Sequence, residues 1–262
     1  MFGSRCKSKD KEPCFFERRF TSKKQQAIAD REQELLLIAK ELVTQEGFAN
    51  LTMDKIAKES PYSKGTVYNH FTSKEDVITA LCIMALKQQN SMFQTALTFE
   101  GNSREKALAF HVAYRTFSRL EPILFMCVLT AKTPWIVEKT STARNEQLNK
   151  LEEDVIAMAD GIFLKGIEHG DLKLSPALST DTIVFANWAV AFGSNSLINN
   201  ATNSRCISRI QDPYSLLHNI NLVLDGLNWA PLSSDWDYKR TWNRIEQELF
   251  PTEIAHLESI GR

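Results

Sequence analysis

Residues 63–71 read Ser63-Lys64-Gly65-Thr66-Val67-Tyr68-Asn69-His70-Phe71. On a helix, Lys64 and Tyr68 stand one turn apart and share a side. Ser63, Gly65, Thr66 and Asn69 flank them. Val67 and Phe71, also one turn apart, point the other way and are core positions. The outward face is therefore polar and small, and at Gly65 it has no side chain, so another molecule can come close to the backbone. Such a face suits recognition by hydrogen bonds and shape. It contains no nucleophile, base and acid in a catalytic arrangement.

The rest of the chain does not supply one. An enzyme needs clustered acids, bases, metal ligands or an activated nucleophile. The only acidic run is Glu152-Glu153-Asp154, whose neighbours point in different directions on a helix. HExxH, GxSxG and a phosphate-cradling glycine loop are all missing. The five histidines are scattered. The five cysteines (Cys6, Cys14, Cys82, Cys127, Cys206) are odd in number and form no CxxC pair, which reads as reduced thiols and not a disulfide framework or zinc site. A non-enzymatic protein without cofactor or metal is expected.

Two short helices must position the recognition face. Thr52 is a good N-cap for a helix over residues 53–59 with Met53, Ile56 and Ala57 inward. Pro61 disfavours helical geometry at Ser60 and ends it. Ser63 then caps the helix that carries Lys64 and Tyr68. A four-residue turn between two short helices is the spacing of a helix-turn-helix, whose second helix enters the DNA major groove. Upstream, Ile28, Leu35, Ala39, Leu42 and Val43 fall at helical spacing from about Lys24, and Gly47 stops that helix. Downstream, Thr72 or Ser73 caps a fourth helix running to about Thr98. Further helices are expected near 103–119, 121–131, 135–169, 177–200, 212–229 and 238–250, punctuated by glycine and proline. No segment alternates long enough for a strand. The fold class is all-α.

The chain has 262 residues, enough for a sizeable core, with a net charge of −1 that announces no nucleic-acid partner. The charge is unevenly placed. Residues 1–24 carry eight basic and three acidic groups, so a basic arm precedes a mildly acidic body. The arm, residues 1–22, reads as flexible, and contact with the DNA minor groove and a passive tail are equally open. The N-terminus is polar, unlike a secretory signal, and the longest apolar run, residues 183–192, is too short to span a bilayer. A cytoplasmic protein without a membrane partner is expected.

The run Gly-Thr-x-Tyr-x-His-Phe followed by Lys74-Glu75, together with Ala39…Gly47-Phe48…Leu51-Thr52…Ile56-Ala57 and Leu81, resembles the DNA-binding domain of TetR/AcrR-type transcriptional regulators. That resemblance covers the first third of the chain. It implies a helix-turn-helix head (residues 23–75) on an all-helical effector-binding and dimerisation body (residues 76–262). It further implies that Lys64 and Tyr68 contact base edges, and that Thr52, Thr66, Tyr68, His70 and Lys74 contact phosphates. Ser63, Gly65 and Asn69 complete the expected DNA-binding set. Pro61 departs from the pattern, because many members carry glycine in this turn and proline forbids positive φ. The angle between the two helices is accordingly open.

The later helices are apolar nearly all round, notably residues 183–192 and 216–227. Such helices must be buried on all faces. The resemblance implies that two of them pair with a second copy in a four-helix bundle, with Phe185, Trp188, Phe192, Ile220 and Leu224 as interface candidates. For an effector pocket, Phe110, His111, Tyr114, Phe117, Phe125, Trp135, Phe163 and Trp188 are available, with core packing as the competing role for most, and His111, Tyr114, Phe117, Phe125 and Trp188 are the effector-binding candidates. An apolar pocket with a few polar groups suits a hydrophobic small molecule. The expected function is a homodimeric repressor released from a palindromic operator by such a ligand. An effector-independent architectural DNA-binding protein of the same fold is the alternative.

Overall fold

The computed structural model describes the backbone of residues 15–262 and side chains from Lys23 onward. Residues 1–14 of the expected arm, with Cys6 and Cys14, lie outside the described residues. The chain divides into two compact units, one ending at His70 and the other beginning at Phe71.

Among the described residues the first unit contains the α-helices α1 (Phe15–Glu46), α2 (Met53–Glu59) and α3 (Lys64–His70), with a short 3₁₀ turn over Phe48–Asn50 between the first two. The α1 backbone thus begins before the periodic segment that marks it in the sequence. Leu35, Leu36, Ala39 and Val43 of α1 are buried with Leu51, Met53, Ile56 and Val67, while Ile28 and Leu37 stay exposed. Gly47 takes φ +82°, the left-handed geometry that ends a helix, and its N–H bonds Val43 O at 2.9 Å. Asn50 Nδ2 donates to the orphan carbonyl of Glu46 at 2.8 Å. The Thr52 hydroxyl accepts the Lys55 N–H at 3.2 Å, as its N-cap role requires.

The Pro61 turn is accommodated without glycine. Ser60 is extended (φ −97°, ψ 155°), which proline at the next position favours. Its hydroxyl bridges Ala57 O (3.2 Å) and the Tyr62 N–H (3.3 Å). Tyr62 in turn donates to Glu34 of α1 and lies under the Arg31 guanidinium, 5.3 Å from the ring centroid. The turn is thereby tied to the long helix.

The second unit contains α4 (Lys74–Ala96), α5 (Ser103–Leu120), α6 (Pro122–Ala131), α7 (Pro134–Val137), α8 (Thr142–Glu168), α9 (Thr180–Asn200), α10 (Ser215–Gly226), α11 (Tyr238–Leu249) and α12 (Pro251–Ser259). No strand occurs among the described residues. Helix α4 is the axis of this unit. Its residues 75–83 are buried on every face, and it packs against α5, α6 and α8. Asn102 and Glu105 form a reciprocal capping box at the start of α5.

Two departures from the sequence reading have local causes. The single helix expected over 135–169 is broken between α7 and α8. Asp76 holds the break: Oδ1 accepts the Ser141 N–H (3.1 Å) and hydroxyl (2.8 Å), and Oδ2 accepts the Thr72 N–H (3.1 Å) and Arg144 Nε (3.2 Å). One buried carboxylate thus fastens the starts of α4 and α8 together. At the other end, Pro251 does not terminate the helical region but opens α12, since a proline at the first helical position sacrifices no hydrogen bond.

Arg104, fully buried, locks α5 to the C-terminal part. Its Nη1 donates to Trp229 O (2.6 Å) and Pro231 O (3.0 Å) and meets Asp225 Oδ1 at 2.7 Å. Its Nη2 donates to Asn221 Oδ1 at 3.0 Å. The guanidinium lies 4.6 Å from the Tyr238 ring centroid.

Candidate nucleic-acid interface and ligand cavity

The outward side of α3 is arranged as its residue spacing requires. Lys64, Gly65, Tyr68 and Asn69 are exposed, whereas Val67 is fully buried. Ser63 caps the helix through the Thr66 N–H (3.2 Å), and its hydroxyl lies 2.9 Å from that of Thr66. The Lys64 ammonium sits 5.9 Å from the Tyr68 ring centroid. A Cβ added at Gly65 would meet nothing closer than Ser63 Oγ at 3.9 Å. The fold therefore does not need glycine there, and glycine costs a helix roughly 0.5–1 kcal/mol relative to alanine. Its value lies in leaving the outer surface open.

Asp54 is a neighbour of Lys64 that spacing alone does not reveal. Its carboxylate is 2.6 Å from Lys64 Nζ and raises the lysine pKa, mainly through that hydrogen bond. His70 departs from the reading as a phosphate contact. Its imidazole is 7% exposed, with Nδ1 3.7 Å from Glu32 of α1. The ring is turned into the unit. Thr52 is exposed and keeps its hydroxyl hydrogen for a further acceptor while it caps α2. Lys74 opens α4 in the second unit and is half-buried.

The second unit contains a partly open cavity of about 380 Å³ lined by α4, α5, α6, α8 and α9, within the range of small-molecule sites. Its walls are largely aromatic and aliphatic. Phe93 stacks on Phe110 with centroids 3.7 Å apart and lies 6.0 Å from the Tyr114 ring. Of the expected effector residues, His111, Tyr114 and Trp188 line it. Phe117 and Phe125 do not. Both are fully buried core side chains, and Phe125 packs between Tyr114 and Phe192. Trp135 is exposed elsewhere, while Phe163 joins the wall.

The polar groups of the cavity are few. His111 Nε2 lies 3.3 Å from Asn187 Oδ1, and burial pushes its pKa down to about 4, so the imidazole is neutral near pH 7. Trp188 Nε1 donates to the Tyr114 oxygen at 3.3 Å. Lys132 pairs with Glu152 and also reaches Asn149 Oδ1 at 3.1 Å. Gln89, on the wall, is a residue the sequence reading missed. Cys82 also lines the cavity, and burial pushes its thiol up to about 12, which leaves it a poor nucleophile.

Among the interface candidates, the structure separates two groups. Phe185 and Trp188 are exposed on α9, and Phe192 is half-buried behind them. Ile220 and Leu224 are each 1% exposed and lie inside the core of the second unit, out of reach of another chain. The outward apolar residue of α10 is Leu222, at 74% exposure, and Leu197 extends the exposed side of α9. No group of metal-binding side chains and no helix long and apolar enough to cross a membrane occurs among the described residues.

A short helix capped by Ser63, its small polar face turned outward and its predecessor set across a tight turn, defines a helix-turn-helix DNA-binding protein. Residues 35–81 match the profile of the bacterial regulatory proteins of the tetR family. The chain is 31% identical over 139 residues to the HTH-type transcriptional regulator QacR of Staphylococcus aureus, covering 53% of this chain and 71% of that one. It is 23% identical over 140 residues to the fatty acid metabolism regulator protein of Bacillus subtilis, covering 53% and 70%. In fold it matches a tetR-family regulatory protein from Rhodococcus RHA1 (TM-score 0.58, 15% identity, 76% of this chain and 97% of the other). It also matches the ketosteroid transcriptional regulator KstR2 of Mycobacterium tuberculosis (TM-score 0.55, 18% identity, 75% and 94%). The chain belongs to the TetR family of transcriptional regulators.

Proposed function

We propose that this regulator is a homodimeric repressor whose operator affinity is lowered by a small, largely apolar effector. In this reading residues 23–75 are the DNA-binding head and residues 76–262 are the effector-binding and dimerisation body, while residues 15–22 of the expected arm are already part of the α1 backbone. The observation that carries it is the α3 face: Lys64, Gly65, Tyr68 and Asn69 exposed together on a helix whose opposite side is buried. Lys64 donates to guanine O6 or N7. Tyr68 packs its ring on a thymine methyl and offers its hydroxyl to a phosphate. Thr52, Ser63, Thr66 and Lys74 supply further backbone contacts. A closed C2 dimer through α9 and α10, with Phe185, Trp188 and Leu222 at its seam, presents two heads to two half-sites.

The cavity favours an effector over an effector-independent architectural role. Helix α4 lines it through Cys82, Leu86, Gln89 and Phe93 and is joined in the chain to α3 by residues 71–73. A ligand that binds better when α4 and α8 are spread shifts the population toward heads wrongly spaced for the operator. The test is Tyr68→Ala. It is expected to abolish operator-specific binding while sedimentation still reports a folded dimer. Unchanged affinity removes α3 from the interface and the reading with it.

A further inference from the structure

The cavity wall carries two carboxylates that no other side chain answers. Asp160 of α8 and Asp181 of α9 both line it, and among the described residues neither makes a hydrogen bond or an ion pair. Asp181 lies in the first turn of α9, where an acidic residue is favourable on its own account. Asp160 is half-buried well inside α8 and has no such reason to be there. Its neighbours on the wall, Ile156, Ala159 and Phe163, are apolar.

The remaining charges on the wall do not offset these two. Lys132 is the one lysine or arginine among the described lining residues, and it is engaged by Glu152 and Asn149. From Glu152 to Asp160 is about 12 Å along α8 at the helical rise, so the ion pair is remote from Asp160. Burial keeps His111 neutral near pH 7. The lining thus sets Glu152, Asp160 and Asp181 against Lys132 alone. An anion entering here meets uncompensated negative charge, and a neutral ligand that displaces water leaves the carboxylates without a partner. A cation answers them. Aromatic rings also attract a cation placed over their faces, and Phe93, Phe110, Tyr114, Phe163 and Trp188 all line the cavity.

We infer that the cavity takes an organic cation with an apolar body, its positive charge balanced by Asp160 and Asp181 and its body against Phe93, Phe110 and Phe163. This rests on the effector reading and gives that effector a chemical class.

The test compares decyltrimethylammonium, decan-1-ol and decanoate, matched in chain length, on the full chain near neutral pH by calorimetry and tryptophan fluorescence. The cation is expected to bind about tenfold more tightly than the alcohol, from two partly screened charge contacts worth about three- to fivefold each. Decanoate is expected to bind more weakly than either. Asp160→Asn and Asp181→Asn keep the side-chain size, and Ser179 still caps α9. Each is expected to weaken the cation about three- to fivefold, and both together about tenfold, with decan-1-ol affinity held within about twofold. The advantage of the cation should also shrink as salt is added, while decan-1-ol binding should not weaken. Equal or tighter binding of decan-1-ol or decanoate, no binding by any of the three, or an undiminished preference for the cation in the double variant overturns the inference. Failure of the effector reading is separable: decyltrimethylammonium would bind through Asp160 and Asp181 yet leave operator affinity unchanged.

Discussion

Asp54→Asn is expected to tighten DNA binding. Lys64, which we propose reaches a base edge, pairs with the Asp54 carboxylate at 2.6 Å. To reach DNA the ammonium must leave that partner, and the carboxylate must then sit near phosphates. The pair is weak, since the two side chains are 62% and 71% exposed, and a solvent-screened pair of this kind shifts an equilibrium by less than about fivefold. Asparagine keeps the size and removes the charge, while Thr52 still caps α2. The expected gain is thus about two- to fivefold at low salt. Removing one negative charge beside the phosphates also steepens the plot of log affinity against log salt by up to about 0.9. Fluorescence anisotropy on a labelled operator duplex across a salt series measures both. In a Lys64→Met background the same substitution should give a smaller gain, because no ammonium remains to be released. Weaker binding by Asp54→Asn in a folded protein, or a full gain without Lys64, would refute the competition and make Asp54 a residue that pre-positions the lysine.

Other perturbations follow from the second unit. Burial pushes His111 down to about 4 from the usual 6.5. The unfolded chain therefore takes up this proton first, and stability falls as pH drops from about 6.5 to about 4, by about 3 kcal/mol in total from this group. Urea unfolding at a series of pH values should show that segment flattened in His111→Leu, and an unchanged profile would contradict it. Arg104→Met removes the cation from Asp225 and three other acceptors, so a loss of about 3–5 kcal/mol is expected in denaturant titration, and a loss below 1 kcal/mol would mean the network is dispensable. Leu222→Glu, at an exposed position, should leave the protomer folded but shift sedimentation toward monomer, whereas Leu224→Glu should unfold it. A stable Leu222→Glu dimer would move the interface elsewhere.

The head was legible because its signals are local. Thr52, Gly47 and Ser63 act on backbone groups within four residues of themselves, and the Val67/Phe71 spacing fixes which side of α3 faces out. His70 escaped because its direction depends on Glu32, far away in sequence. The body is set by tertiary contacts that periodicity does not encode. Gln89 sits in the polar run Lys87-Gln88-Gln89-Asn90 and reads as solvated, yet its spacing of three from Leu86 and four from Phe93 puts it on the buried side. The same applies to α10, whose Leu222 and Leu224 look equivalent in a continuous apolar run but face opposite environments. The break before α8 needed Asp76, sixty-five residues upstream of Ser141, and no local rule anticipates it.

Selection of bound sequences from random duplex DNA, with the full chain at moderate salt, tests the central claim most directly. The account predicts recovery of a palindrome with two half-sites, lost when Tyr68 is replaced by alanine. Recovery of no motif, with binding that salt simply abolishes, would contradict sequence-specific recognition by α3.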